Sequence, residues 1–361
     1  MSQENVEAME NTGQAKKLII DCHGHYTTAP GALGEYREQQ KADLEKDALF
    51  EHVKGIVNIS DDQLQESVEG AQLKLQNERG SDVTIFSPRA SWMGHHIGNQ
   101  STSKYWTEHC NELIYRLTEL YPQNFIGGAQ LPQSPGADMS TSAAELERCV
   151  TEYDFVGCNL SPDPSGGHWT APRLDDRYWY PIYEKMCELN VPAMIHVSAS
   201  CHQCFDTTGS HYLGADTTAF QHLMMAKTLF KDFPNLKLII PHGGGAVPYH
   251  WGRFRGLADM MKLDNLHDII RDHIYFDTCV YHQEGIDLLV DVIPTENILF
   301  ASEMVGAVRG IDPQTGHYFD DTKRYIDACA LSDEQKQMVF SDNARKVFPR
   351  LDTRLKQVGL L

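Results

Sequence analysis

Eight short apolar runs, bounded by turn residues and separated by stretches of helical periodicity, constrain this chain more than any other feature. In order they are Leu18–Cys22, Val83–Phe86, Phe125–Ala129, Phe155–Leu160, Pro192–Val197, Leu236–Ile240, His273–Asp277 and Ile298–Ala301. Strands covered on both faces read as continuous apolar runs and not as alternating ones, which is the pattern of a parallel sheet wrapped by helices. Between the runs, Tyr105–Leu120 sets Trp106, Cys110, Leu113, Ile114 and Leu117 on one stripe, and Tyr178–Leu189 and Thr218–Phe230 behave alike. Eight strand–helix alternations predict an α/β fold of the closed (β/α)8 TIM-barrel type. The alternative, a doubly wound open sheet, lacks its usual dinucleotide signature, because no G-x-G-x-x-G follows the first run.

The spacing is uneven once, between the first two runs. There Glu35–Val53 is charged and helical in pattern, and residues 27–60 read as a helical insertion over one barrel mouth, with Asp61–Arg79 as the first barrel helix. Near the end, Ser332 and Gln335 form a capping box for a helix running toward Phe340. Met1–Lys17 is polar and acidic with no apolar stretch, so it is expected to be a disordered tail and not a signal peptide, leaving 18–361 as one barrel domain.

Charge and cysteine usage exclude several function classes. The 361 residues include 31 Lys plus Arg and 50 Asp plus Glu, a formal charge of −19, whereas nucleic acids and anionic membranes require clustered positive charge. No apolar run approaches the roughly 18 residues that span a bilayer. The 9 cysteines form no regular framework and no signal precedes them, which points to reduced thiols in a cytoplasm.

The chemistry-bearing residues fall at the ends of the runs. His23-Gly24-His25 follows the first, and residues two apart on a strand share a face, so both imidazoles enter the barrel together. His196 ends the fifth run, His242 the sixth and Glu303 the eighth. Each alone could be an interior polar group, but five at the C-terminal end of one barrel lie where barrel active sites sit. Together they suit a mononuclear zinc centre held by His23, His25, His196 and a carboxylate, with one position left for water, whose pKa the metal lowers toward about 7. His242 then acts as acid or base in place of ligating. Cys201-His202-Gln203-Cys204 has C-x-x-C spacing, but no second ligand pair accompanies it, so it reads as loop sequence near the entrance.

This constellation resembles the amidohydrolase superfamily over nearly the whole chain, and within it the branch of the aminocarboxymuconate-semialdehyde decarboxylases. The likeness rests on His23-x-His25, His196, His242-Gly243-Gly244-Gly245-Ala246-Val247-Pro248 through Gly252-Arg253, and Asp342-Asn343-Ala344-Arg345-Lys346-Val347-Phe348. Two positions depart from the pattern. Asn159 stands in the region where binuclear members carry a metal-bridging Lys, which implies one zinc per subunit, and Glu303 stands where the branch has Asp. Phe300–Ala307, Asp312-Pro313, Tyr318–Thr322 and Cys158–Gly167 are similar to the 4-oxalomesaconate hydratases.

That resemblance implies addition of water to 4-oxalomesaconate or a tautomer such as 4-carboxy-2-hydroxymuconate. The product is 4-carboxy-4-hydroxy-2-oxoadipate, in 4,5-cleavage catabolism of protocatechuate or gallate. Glu303 is assigned to orienting or deprotonating the water, ligating zinc or not, and His242 to the proton at carbon, although these two roles are exchangeable. A non-oxidative decarboxylase of an aromatic or muconate acid, a hydrolase of a lactone or amide and a non-catalytic barrel are the rivals. A tricarboxylate needs cationic anchors. Arg253 is implied by the branch, where an arginine at this position reaches the neighbouring subunit's site, so a homodimer or higher even assembly is expected. Topology places Arg89, Arg309, His95 and His96 at the same mouth, and Tyr212, Ser198 and Asn159 complete the candidate substrate contacts.

Overall fold

The computed structural model describes residues 17–205 and 208–361; of the tail expected over Met1–Lys17, all but Lys17 lie outside the described residues. Among the described residues, eight parallel strands form one sheet in sequence order: β1 (Ile20–Tyr26), β2 (Val83–Pro88), β3 (Phe125–Gln130), β4 (Gly157–Leu160), β5 (Ala193–Ile195), β6 (Leu238–Ile240), β7 (Ile274–Asp277) and β8 (Ile298–Leu299). The sheet curls until its edges meet. Cys22 N–H donates to Phe300 O at 2.9 Å, and Glu303 N–H to His23 O at 2.9 Å. The buried Asp21 carboxylate reinforces this seam by accepting from the Ser302 N–H at 3.1 Å and from the Ser302 hydroxyl. Burial raises its pKa to about 6 although those bonds oppose the rise.

Helices fill the connections: α1 (Gly31–Lys46), α2 (Asp61–Glu69), α3 (Gln72–Arg79), α4 (Gln100–Leu120), α5 (Ser140–Glu152), α6 (Tyr180–Leu189), α7 (Thr208–Met224), α8 (Leu229–Asp232), α9 (Trp251–Met261), α10 (Leu266–Ile270), α11 (Gln283–Val292), α12 (Lys323–Ala328), α13 (Asp333–Gln337), α14 (Asn343–Val347) and α15 (Leu351–Gln357). The capping box at Ser332 is present, with Ser332 Oγ accepting from Gln335 N–H and Gln335 Oε1 from Ser332 N–H. Four expected boundaries move, the first being the helix expected from Tyr105, which begins at Gln100 as α4. The first barrel helix is two, α2 and α3, parted at Gly70–Ala71, where Ala71 takes a non-helical φ of −130°. The helix expected over Glu35–Val53 lies earlier, as α1, and the one expected over Thr218–Phe230 begins ten residues sooner, as α7. The last shift matters, because it puts Tyr212 and Asp216 on a helix over the mouth.

Burial follows the two layers of a barrel. Ile20, Cys22, Ile85, Ile126, Val156, Met194, Ile239, Tyr275 and Leu299 pack inside, plugged by Val347, Phe348, Leu351 and Leu355 of the C-terminal segment. The larger cluster, including Trp106, Trp179, Phe220 and Phe276, lies between strands and helices. Close packing leaves no room for a side chain at Gly127 of β3, where an added Cβ would lie 2.1 Å from the Phe155 ring. With one end plugged by the C-terminal segment, the polar strand ends gather at the other.

Candidate metal and reaction centre

His23, His25, His196 and Glu303 are all buried, and one donor atom from each lies within 4.8 Å of the other three. β1 supplies the first two. Its register slips between Asp21 and Gly24, so Cys22 still packs in the barrel interior while both imidazoles meet at the mouth. His23 Nε2 lies 3.0 Å from His25 Nε2, which lies 3.2 Å from His196 Nε2. The three rings stand nearly perpendicular to one another, at 80° to 89°.

What holds the rings also fixes their tautomers. His23 Nδ1 lies 2.8 Å from the Asp277 carboxylate and His196 Nδ1 2.8 Å from Val197 O, and both partners accept only. Ser87 Oγ donates to Gly24 O at 3.2 Å, so at 2.9 Å it accepts from His25 Nδ1–H. In the neutral form each ring then carries its proton on Nδ1 and turns an Nε2 lone pair toward the other two. Burial, followed by the charges of neighbouring histidines, holds His25 and His196 well below the usual imidazole range. A divalent cation fits this donor set, with Asp277, Ser87 and the Val197 carbonyl as the outer partners that orient its ligands.

Glu303 approaches from the seam after β8. Its Oε2 accepts from Tyr281 O–H at 3.1 Å and lies 3.8 Å from His242 Nε2. His242 Nδ1 lies 2.9 Å from Asp216 Oδ2, and its buried Nε2 has no hydrogen-bond partner among the described residues. Burial disfavours its charged form, but Asp216 and then Glu303 outweigh burial and raise the pKa to about 9. Asp216 is itself lifted to about 6 by burial, against the pull of His242. The backbone is strained here: His242, Tyr281, Glu303 and Val305 all have φ between 49° and 66°, where side chains of this size are rare and cost of order 1 kcal/mol or more each. The His242 turn also requires Gly245, since a Cβ there would meet Leu213 O at 2.6 Å.

A cavity of about 280 Å3 opens beside these groups, lined by His25, Thr27, Arg89, Ser91, Tyr212, Glu303, Gly306, Ala307 and Arg309. Arg89 Nε donates to Ser91 Oγ at 2.7 Å and its guanidinium rests 4.9 Å above Trp92. Arg309 Nε donates to Gly306 O at 3.2 Å. Burial and then the Arg309 charge lower the Arg89 pKa. Neither arginine forms an ion pair with a carboxylate among the described residues, so the cavity holds two guanidinium groups against the single carboxylate of Glu303. Tyr212 stacks on His242, its ring centroid 5.3 Å away.

Of the sequence-derived residues, then, His23, His25, His196, Glu303, His242, Arg89, Arg309 and Tyr212 come together. Five do not join that cavity. Asn159 lies beneath it, its Nδ2 donating to Ser87 Oγ at 3.1 Å, and so supports His25 at one remove. Ser198 Oγ is taken by the Gly94 N–H at 2.7 Å. His95 is buried, and His96 lines a neighbouring cavity. Arg253 is exposed on α9. Cys201 and Cys204 are exposed and belong to no group of converging ligands among the described residues. Asp216, Tyr281 and Ser87 are positioned at the site without a local sequence signal, and Asp277, which ends the seventh run, joins them.

Residues 20–350 match the amidohydrolase family. The chain is 60% identical over 343 residues to the 2-keto-4-carboxy-3-hexenedioate hydratase of Sphingobium sp. (strain NBRC 103272 / SYK-6), covering 95% of this chain and 99% of that one. Its fold superposes with a TM-score of 0.87 on the crystal structure of the 4-oxalomesaconate hydratase of Rhodopseudomonas palustris, at 59% identity over 95% of this chain and 99% of that one. A dihydroxybenzoic acid decarboxylase of Polaromonas sp. JS666, solved with bound manganese, shares the fold at a TM-score of 0.64 and 19% identity, over 96% of this chain and 99% of that one.

Proposed function

This chain belongs to the amidohydrolase family, and from that membership we propose that it is a metal-dependent hydratase of 4-oxalomesaconate or one of its tautomers. The carrying observation is that Glu303 and His242 face each other at 3.8 Å over three converging imidazoles, beside a cavity that holds two guanidinium groups. We take the metal to be one zinc per subunit, on the preference of zinc for imidazole and carboxylate donors. When bound, such a metal supplies a nucleophile at neutral pH by lowering the pKa of water.

The residues divide the rest of the work. In the tautomer for which the Sphingobium relative is named, a double bond joins C3 and C4, so C4 is conjugated to the C2 ketone. Water oxygen bonds to C4 as the C3=C4 π pair moves toward the ketone oxygen, leaving an enolate. Glu303 takes one water proton, and His242 Nε2–H returns a proton to C3, giving 4-carboxy-4-hydroxy-2-oxoadipate. Asp216 holds His242 with Nε2 toward the cavity, and Tyr281 holds one oxygen of Glu303. Arg89 and Arg309 receive substrate carboxylates, with Ser91 and Tyr212 beside them. We also read residues 18–361 as one barrel domain, residues 27–60 as an insertion over its mouth, and the assembly as a homodimer in which Arg253 serves the partner's cavity.

The test is turnover of the tricarboxylate followed by its ultraviolet absorbance, with carbon dioxide measured in parallel. Absorbance loss with one hydroxy acid formed and no carbon dioxide is expected, and Glu303→Asp is expected to lose about a hundredfold or more in kcat. Carbon dioxide release at the rate of substrate loss would establish the decarboxylase instead.

A further inference from the structure

Beside the reaction cavity lies a second one, of about 300 Å3, and Ser91 lines both. Its walls are Gly34, Arg37, Glu38 and Lys41 of α1, residues of the strip after β2 that include Ser91, Gly94 and His96, and Ala199 with Ser200 after β5.

Arg37 sets its chemistry. At 5% exposure it is the one Lys or Arg buried among the described residues. Its Nη1 donates to Gln40 Oε1 at 2.9 Å, and its Nη2 to Met93 O at 2.8 Å and Gly94 O at 3.2 Å. All three acceptors are neutral, and no carboxylate lies within 4.0 Å of it among the described residues. Its Nε is buried without a partner, as is Nδ1 of His96 across the cavity. The Trp106 ring, 4.8 Å from the guanidinium, offsets part of the missing charge. Burial draws the Arg37 pKa down only to about 10, so the group stays cationic near neutrality. A buried cation with neutral partners and an open cavity against it is a site short of an anion.

We propose that this cavity is a second anion site, taking a carboxylate on Arg37 with His96 as a further contact, at the end away from Lys41, whose ammonium is paired with Glu38 at 2.7 Å. Two sources share that chemistry: an arm of the reaction's own substrate passing Ser91, or a separate small acid. The charge and shape of the pocket are independent of which reaction runs at the metal centre.

Gly34 gives a clean test, because a Cβ built there meets nothing within 4 Å. Gly34→Leu therefore fills the cavity from a helical position without strain and leaves Arg37 in place, whereas Arg37→Gln removes the charge. Both are compared with wild-type holoprotein by calorimetric titration with tricarballylate, an unreactive tricarboxylate. A separate acid site is expected to give two equivalents bound per chain in wild type and one in each variant. A substrate arm is expected to give one equivalent throughout, with affinity weakened about tenfold or more in both variants and KM raised over kcat. If Arg37→Gln fails to fold, Gly34→Leu alone distinguishes these results. Titrations identical in wild type and Gly34→Leu, including no binding in either, would overturn the proposal and leave Arg37 as a tie between α1 and the Met93–Gly94 backbone.

Discussion

His242 lies between two carboxylates, and the balance of burial against their charge decides what it can do. Burial favours the neutral ring, but Asp216 at 2.9 Å and Glu303 at 3.8 Å prevail and raise its pKa to about 9. A raised value means that the imidazolium persists below about 9 and is lost as pH rises through it. If His242 donates the proton to carbon, kcat is expected to stay level through neutral pH and fall above about 9. Asp216→Asn removes the larger of the two raising charges while preserving size. Its alkaline limb is expected to move acidward by about one unit or more, with kcat at pH 8 reduced about tenfold. A pH profile of Asp216→Asn that overlays the wild type would sink this role for Asp216. The same shift carries a stability sign: the contribution is complete below about 6.5, the unfolded value, and disappears as pH rises through about 9.

The elements around the mouth are joined by a clasp centred on Asp163 in the loop after β4. Its carboxylate accepts from the N–H groups of Ser165 and Trp169, each at 3.2 Å, from Gly167 N–H at 2.6 Å and from the Ser165 hydroxyl, and it lies 3.4 Å from His211 Nε2. His211 belongs to α7, and its Nδ1 reaches back to Ser198 O at 3.0 Å, so the loops after β4 and β5 and the helix bearing Tyr212 and Asp216 are tied together. Burial raises the Asp163 pKa, but His211 and the donated hydrogen bonds outweigh it, and the net shift is downward. The stabilisation is thus present above about 3.9, the unfolded value, and lost as pH falls through the folded one. Asp163→Asn is expected to cost about 2 kcal/mol in chemical denaturation and to flatten the acid side of the stability profile; coincident denaturation curves would show the clasp to be idle. The strands and their terminal residues are legible in the sequence because buried parallel strands are continuous apolar runs, and a polar residue ending such a run is conspicuous. Asp277 ends the seventh run and is marked in that way, but its pairing with His23 is not legible, because 254 residues separate the two and only the closure of the barrel brings them together. Asp216 is hidden for a different reason: periodicity starts the helix at Thr218, so a residue at 216 reads as loop. Asn159 and Ser198 lie at strand ends as expected, yet neighbours occupy their polar atoms, and run position carries no information about that.

At the scale of the whole molecule, the candidate centre gathers its donors from β1 and from just after β5 and β8, so a cation held there would tie together parts of the barrel that the chain itself connects only over long distances. Chelation is therefore expected to lower Tm, by an amount equivalent to about 2.7 kcal/mol where free metal stood at a hundred times Kd, and zinc is expected to restore it. An unchanged Tm in protein shown to have lost its metal would remove the cation from the folding balance. The surface makes a second demand. With a formal charge of −19, copies of this chain repel one another, so self-association needs an apolar face. The region of α9 has one: Tyr249 and Met260 are 76% and 81% exposed, with Leu257 and Met261 beside them, and Arg253 is exposed on the same helix. Exposed apolar side chains clustered on one element mark an interaction surface. Met260→Glu is expected to shift a dimer toward the 40.8 kDa monomer in sedimentation at micromolar concentration. Arg253→Ala is expected to leave the dimer intact and raise KM by about tenfold, because its charge would act in the partner's cavity. Wild-type protein sedimenting as a monomer would defeat both expectations, and Arg253 would then be an ordinary solvated charge.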